Sequence, residues 1–408
     1  MEKTSRIDHS AMRARNLEVV LRALGSHAPV SRTELARITG LNKATVTSLI
    51  KELDRVHFIC EQETKPIDGV GRPPTGLALH PDAGSIIALE TGVDFISAIV
   101  TDFTAKPFWR YSETTPPLAR QEAVLSRAYE IADEAFASAQ SHPGRVFGIA
   151  WGVPGLVDLA GGKLLYAPNL GWSDIPIRDL LGSRLGIHAY VDNEANMAAL
   201  GEAYFGAARN IDYVLYVSAG VGLGGGIVMN GNILSGADGF AGEIGHMTMD
   251  RDGALCGCGN RGCWETLVSQ WALFRRIRQA VEAGKQTSLE AATEGNLDRL
   301  TIPLIVNAAT EGDDVSLAAL HETGQWLGIG IANLINALNP QRVVFGGILS
   351  LAHQFLLPVI HEVVENRAWT WSSKNCEIVV ADYGTDACLM GGVATVYREV
   401  LSELRNWT

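Results

Sequence analysis

The first fifteen residues, MEKTSRIDHSAMRAR, contain no apolar core, so nothing there reads as a secretory signal peptide. Nowhere does a run of about 18 apolar residues pass without interruption, which argues against a membrane span. Cysteine is scarce: there are six in 408 residues, three crowded at 256–263, with Cys60, Cys376 and Cys388 scattered. That usage excludes a disulfide framework and suits a reducing compartment with one metal site; a cytoplasmic location is expected. Charged residues are only 19% of the chain, but hydrophobic ones are 47%, which excludes a disordered polymer. Basic charge is in deficit, at a net −12, and argues against wholesale nucleic-acid binding. The deficit is uneven. Residues 1–80 hold 12 Lys and Arg against 9 Asp and Glu, or +3, and the remainder carries −15. A mildly basic head on an acidic body is the asymmetry expected when only the head meets phosphate. Glycine, by contrast, is abundant at 43 residues, and suits tight turns and backbone–ligand contacts. The length calls for two or three domains.

The head, residues 1–80, reads as three helices and a wing. Leu17, Val20, Leu21 and Leu24 follow helical spacing, and Gly25 is expected to stop that helix. Ser31 to Glu34, SRTE, is a capping box that starts a second helix near Arg32 and ends at Gly40. Asn42 is the N-cap of a third, LNKATVTSLIKEL, with Val46, Leu49, Ile50 and Leu53 on one face. Two short helices joined at a glycine make a helix-turn-helix. The outer face offers Lys43, Thr45, Thr47 and Ser48 to a major groove, with Arg32 and Asn42 at the helix starts. The stretch FICEQETKPIDGVGRPPTGLALH reads as two strands around a turn, and its Gly-Arg-Pro-Pro holds Arg72, suited to a minor groove. Operator DNA is the expected partner; a winged helix that binds protein is the alternative.

The body alternates apolar strands and helices, which is α/β order. His246, Cys256, Cys258 and Cys263 supply one nitrogen and three sulfurs, a set that suits tetrahedral Zn²⁺ with no open position. Such a metal is structural; a redox switch is the alternative. The motifs GVPGLVD (152–158), APNLGW (167–172), DNEANMAALGE (192–202), GLGGGIVMNG (222–231), GEIGH (242–246), the cysteine cluster and VVFGGIL (343–349) run in one order along nearly the whole body. In these residues the chain resembles the ROK family of sugar kinases and sugar-responsive repressors. With the head included it looks like the repressor branch. The resemblance implies an actin/hexokinase-like body: a first lobe at 81–195 with a C-terminal helix at 388–408 packing back on it, and a second lobe at 196–387 holding the zinc. The H-x9-C-x-C-x4-C spacing matches the family's zinc site. The resemblance also implies that Asn169, Asn193, Glu243, His246 and Glu265 contact sugar hydroxyls. Carboxylates accept paired bonds from vicinal hydroxyls, and a metal-bound imidazole keeps its second nitrogen oriented to donate.

Three departures bear on catalysis. The family's active kinases carry aspartate where this chain has Glu194, and the added methylene moves the carboxylate by about 1.5 Å, enough to impair attack. Their first phosphate loop reads D-x-G-x-T; here it is ETGVD, with Glu90 for the aspartate and Asp94 where phosphate should lie. SAGVG at 218–222 lacks the threonine of their GTGIG. These changes favour a sugar pocket without phosphoryl transfer, in which Glu194 is a ligand contact and no residue is catalytic. The expected protein is a homodimer or homotetramer with two heads on an operator and a sugar between its lobes. An ATP-dependent sugar kinase with a regulatory head, or a regulator titrated by a partner protein, are the alternatives. Cys388, before LMGG, is expected in the core.

Overall fold

The computed structural model describes residues 9–63, 75–115 and 121–402. The head comprises α1 (His9–His27), α2 (Arg32–Thr39) and α3 (Lys43–Arg55), then β1 (Ile59–Glu63) paired antiparallel with β2 (Thr75–Leu79). Its local chemistry is as the sequence indicates. Ser31 Oγ accepts the Glu34 amide at 3.1 Å, Gly40 closes α2 at φ 68°, and Asn42 Oδ1 accepts the Thr45 amide at 2.8 Å. Val46, Leu49, Ile50 and Leu53 form the buried stripe of α3. Gly25, however, does not stop α1, which continues to His27. The helix ends before Pro29, whose ring cannot continue the amide ladder. Gly25 instead sits beside β2, where a Cβ would lie 3.6 Å from Leu79. Arg72 and its Gly-Arg-Pro-Pro neighbours fall outside the described residues.

The body is two α/β lobes. The first contains β3 (Gly84–Thr91), β4 (Phe95–Asp102), β5 (Pro107–Thr114), α4 (Gln121–Ser141) and β6 (Arg145–Val153). A small antiparallel sheet follows, made of β7 (Leu156–Asp158), β8 (Lys163–Ala167) and β9 (Trp172–Ile175). Then come α5 (Ile177–Leu185) and β10 (Ala189–Asn193), and the main sheet has the order β10-β6-β3-β4-β5. Every residue of β3 is buried, as a central strand covered on both faces requires. From β10 the chain enters α6 (Glu194–Tyr204), whose residues from Ala195 onward are all buried, Glu202 among them by accepting the amides of Ala207, Asp382 and Tyr383.

The second lobe begins with β11 (Tyr213–Ala219), β12 (Leu223–Met229) and β13 (Asn232–Ile233). It continues through α7 (Glu265–Val268), α8 (Gln270–Glu282), α9 (Ser288–Ala292), α10 (Ile302–Thr310) and α11 (Asp314–Leu338). It ends with β14 (Arg342–Gly346), α12 (His353–Arg367), α13 (Thr370–Ser373) and β15 (Glu377–Val380). Its sheet order is β13-β12-β11-β14-β15. The last helix, α14 (Ala387–Ser402), leaves this lobe and packs on α6, β6 and β3.

The segment Ile348–Arg367 is long and apolar enough, at mean hydropathy 1.2, to meet the length and composition of a membrane span, which the sequence reading had not flagged. Leu356, Ile360 and Val364 of that segment are buried among the side chains of the second lobe, and α12 packs along α11. That is the pattern of an amphipathic core helix.

The head is fastened to the body by apolar packing. The Phe58 ring lies tilted 4.5 Å from Phe103 and edge-to-face 5.5 Å from Phe147, and Phe103 lies 5.0 Å from Tyr397 of α14. The head's buried side chains, α6 and α14 form one continuous hydrophobic cluster.

Candidate functional site

A cavity of about 510 Å³ opens between the lobes. Strand β10 ends at its floor, and Asn193 there caps α6: Oδ1 accepts the amides of Ala195 at 2.8 Å and Asn196 at 3.3 Å, and Nδ2 donates to Gly155 O at 3.0 Å. The next residue, Glu194, is thereby aimed from the first turn of the helix. Asn169, Asn193, Glu194, Glu243, His246 and Glu265 all line this one cavity. Of the six, Asn193 is the most committed to the protein itself.

Beside the cavity the cysteine segment folds into a tight knuckle. Thr248 bridges Cys263 and Leu255 bridges Arg261 in antiparallel fashion. The Met249 amide donates to Gly262 O at 2.8 Å, and the Trp264 amide to Met247 O at 2.8 Å. Gly262 has φ 63°, and a Cβ there would lie 1.5 Å from Asp250 O, so no other residue fits this turn. Trp264 anchors the knuckle: it is fully buried, donates to Trp326 O at 2.9 Å and lies flush on Gly330 of α11.

One donor atom each from His246, Cys256, Cys258 and Cys263 lie within 4.8 Å of one another. Cys258 and Cys263 sulfurs are 3.7 Å apart, and Cys256 Sγ is 3.6 Å from His246 Nδ1. A tetrahedral ion with metal–sulfur bonds of about 2.3 Å needs sulfur–sulfur edges of about 3.8 Å, so the donor set fits such an ion. Burial pushes the Cys256 thiol up to about 12 and that of Cys263 upward as well, and a bound cation is what would hold such buried sulfurs as thiolates.

Nδ1 of His246 faces the sulfurs, and Nε2 faces the other way, 3.9 Å from Glu243 Oε2. Glu265 joins the knuckle to the cavity. Its Oε1 accepts the Cys256 thiol at 3.7 Å and its Oε2 accepts the Leu223 amide at 3.0 Å. A Cβ at Gly222 would come within 2.5 Å of that Oε2, so this glycine is what lets the loop close on the carboxylate.

The far half of the cavity is acidic. Burial, with the charges of Glu243, Asp192 and Glu265 adding to it, pushes Glu194 up to about 8. Burial and the charges of Glu194 and Asp386 do the same to Glu90. Each has one oxygen, Oε2, sealed from solvent with no hydrogen-bond partner among the described residues. Asp94 lines the same half. Arg110 is there too, but it is held in a two-bond pair by Asp386, at 2.8 and 2.5 Å. Sequence reasoning passed over Arg110 and Asp386, which are 276 residues apart and leave no local signal. Cys388 is buried, as expected of a core residue, but it also lines the cavity beside Glu90. The altered phosphate loop was the signal that could have placed Glu90 among the site residues.

On the head, Arg32, Lys43 and Ser48 are exposed, and Thr45 and Thr47 are half-buried. The Asn42 side chain is engaged as a cap, and Thr47 Oγ1 donates back to Lys43 O at 2.8 Å. Of the four α3 residues expected to meet DNA, Lys43 and Ser48 are therefore the most open.

The model of the ROK family matches residues 86–399. The chain is 33% identical to the xylose repressor of Caldicellulosiruptor bescii, over 97% of this chain and 98% of that one. A solved ROK family transcriptional regulator, a homologue of the E. coli MLC protein, superposes with a TM-score of 0.79 at 26% identity, covering 96% of this chain and 97% of that one. A ROK family glucokinase from Streptomyces griseus, solved with glucose and AMPPNP, gives 0.67 at 31% identity, over 76% of this chain and 98% of that one.

Proposed function

The chain belongs to the ROK family, and from that premise we propose that it is a sugar-responsive DNA-binding repressor whose kinase-like cleft serves as an effector pocket. The observation that carries this reading is the union of two parts: a helix-turn-helix head packed through Phe58 onto a body whose cleft gathers Asn169, Glu194, Glu243, His246 and Glu265. The related xylose repressor makes D-xylose the first effector to test.

In this account Glu243 and Glu265 accept sugar hydroxyls, His246 Nε2 donates to one, and Asn169 closes the mouth. The metal is zinc, held by His246, Cys256, Cys258 and Cys263; it supplies no reaction chemistry and fixes the loop that presents His246 and Glu265. Phosphoryl transfer is lost. Asp94 sets a carboxylate charge in the half of the cleft where phosphates would lie, Glu90 replaces the phosphate loop's aspartate, and Arg110 is already paired with Asp386. The working unit is a homodimer or homotetramer that offers two heads to one operator, and the sugar favours the lobe arrangement in which they no longer fit.

The head assignment is tested with Lys43→Ala and Ser48→Ala on DNA from upstream of the protein's own gene. Lys43→Ala weakens binding and lowers the salt slope by about 1 per head, as loss of one phosphate contact requires. Sugar affinity stays at the unmodified value. Unchanged DNA affinity and salt slope in both variants would show that α3 does not face DNA.

A further inference from the structure

Helices α6 and α14 both run between two cavities. At their N-terminal ends Glu194 and Ala198 of α6, and Ala387 and Cys388 of α14, line the main cleft. At their C-terminal ends Tyr204, Tyr397 and Leu401 line a second cavity of about 250 Å³ between head and body, which Glu18 and Arg22 of α1 also line. The eleven residues of α6 span about 16 Å. The pair is seamed by glycine: a Cβ on Gly391 would sit 1.7 Å from Met197 O, and one on Gly201 2.5 Å from Ala387 O. Backbone rests on backbone, so neither helix slides without the other.

The contact at the head end is polar and specific. The Tyr204 hydroxyl donates to Glu18 Oε1. Arg22 Nη2 donates to the same oxygen at 2.8 Å, and its guanidinium lies 3.6 Å from the centre of the Tyr204 ring. One turn further along the same face of α1, Ser26 Oγ accepts from Arg209 Nη1 at 3.0 Å. Around this contact the packing is incomplete. Besides the cavity, Arg22 Nε and the Tyr397 hydroxyl are sealed from solvent without a hydrogen-bond partner among the described residues. A polar contact bordered by a void leaves the joined helix ends room to shift.

We propose that α6, seamed to α14, carries displacement from the effector pocket to the head, and that Tyr204 against Glu18 and Arg22 is the point of delivery. This rests on the repressor reading above. Ligand bound against Glu194 moves the first turn of α6; the seam makes the two helices move as one body; the Tyr204 ring then displaces Arg22 and with it α1, the helix against which α2 and α3 pack. Tyr204 is a positioning residue in this scheme and touches neither sugar nor DNA.

The test uses the full chain with Tyr204→Phe, which removes the hydroxyl and keeps the ring, and Arg22→Gln, which removes the cation. Xylose affinity is measured by calorimetry, and operator affinity by anisotropy with and without D-xylose. The expected result is xylose affinity within about twofold of the unmodified protein, while the sugar-induced drop in operator affinity shrinks by about fivefold or more. A merely structural role would lower the melting temperature and leave that ratio intact. Arg22→Gln, at a partly exposed position on α1, decides the matter alone if Tyr204→Phe does not fold. Variants that fold and keep the full ratio overturn the proposal. If the unmodified protein itself ignores xylose, the repressor reading fails with xylose as its effector and this scheme falls with it, an outcome distinct from a retained ratio.

Discussion

Replacing Cys263 with serine strips the metal and lowers sugar affinity by a factor of order 10–100, although residue 263 touches no sugar. Cys263 is fully buried at the centre of the knuckle, and both halves of the effect follow from its neighbours. His246 Nε2 faces Glu243 only while Nδ1 is fixed on the sulfur side. Glu265 follows two residues after Cys263 and reaches the Leu223 amide from the same rigid turn. Without the ion, the two remaining sulfurs and the His246 imidazole lose their common partner and the turn that positions Glu265 loosens. Metal content by elemental analysis and xylose affinity by calorimetry check the two halves together: near-stoichiometric zinc in the unmodified protein, none in the variant, and affinity lost in parallel. A metal-free variant that binds xylose normally would show that the knuckle does not present the pocket.

The second large effect is on stability. Glu194 ionises near 4.5 in an ordinary environment and near 8 in the folded protein. Between those values the folded chain holds a proton that the unfolded chain has released, so stability falls as pH rises from about 4.5 to about 8 and levels off above. Glu194→Gln removes that share of the penalty. At pH 5 the variant and the unmodified protein melt at similar temperatures; by pH 8 the variant melts higher, by roughly 2 °C for on the order of 2 kcal/mol in a chain of this length. Glu90 leaves a smaller slope of the same sign in the variant. A variant less stable than the unmodified protein at pH 8 would mean that Glu194 is ionised and usefully partnered in the folded state.

What could be read from the chain divides by the range of the interactions. The head was legible because its signals are local: Ser31 with Glu34, Gly40 at φ 68°, Asn42 with Thr45. The metal set was legible because its ligands lie in eighteen residues and their chemistry admits few readings. Gly25 misled because glycine stops a helix only when the chain has somewhere else to go, and here β2 packs beside it. Asn193 was read as a sugar contact, yet its role as a cap is equally local and engages the same atoms. The pairing of Arg110 with Asp386, the approach of Cys388 to Glu90 and the glycine seam between α6 and α14 all join residues distant in sequence. Those contacts are made by packing alone. The cleft's acidic half was half-legible: the altered residues could be named, but the burial that raises Glu90 and Glu194 well above the usual carboxylate range arises only in the fold.

The most direct measurement is an anisotropy titration of the purified protein on DNA from upstream of its own gene, repeated with D-xylose, other pentoses, hexoses and amino sugars, and followed by incubation with the effective sugar and Mg-ATP. The account predicts tight, salt-sensitive binding that one neutral sugar releases, and no sugar phosphate afterwards. Operator affinity that no sugar alters, or sugar phosphate formed at an enzyme's rate, would contradict it.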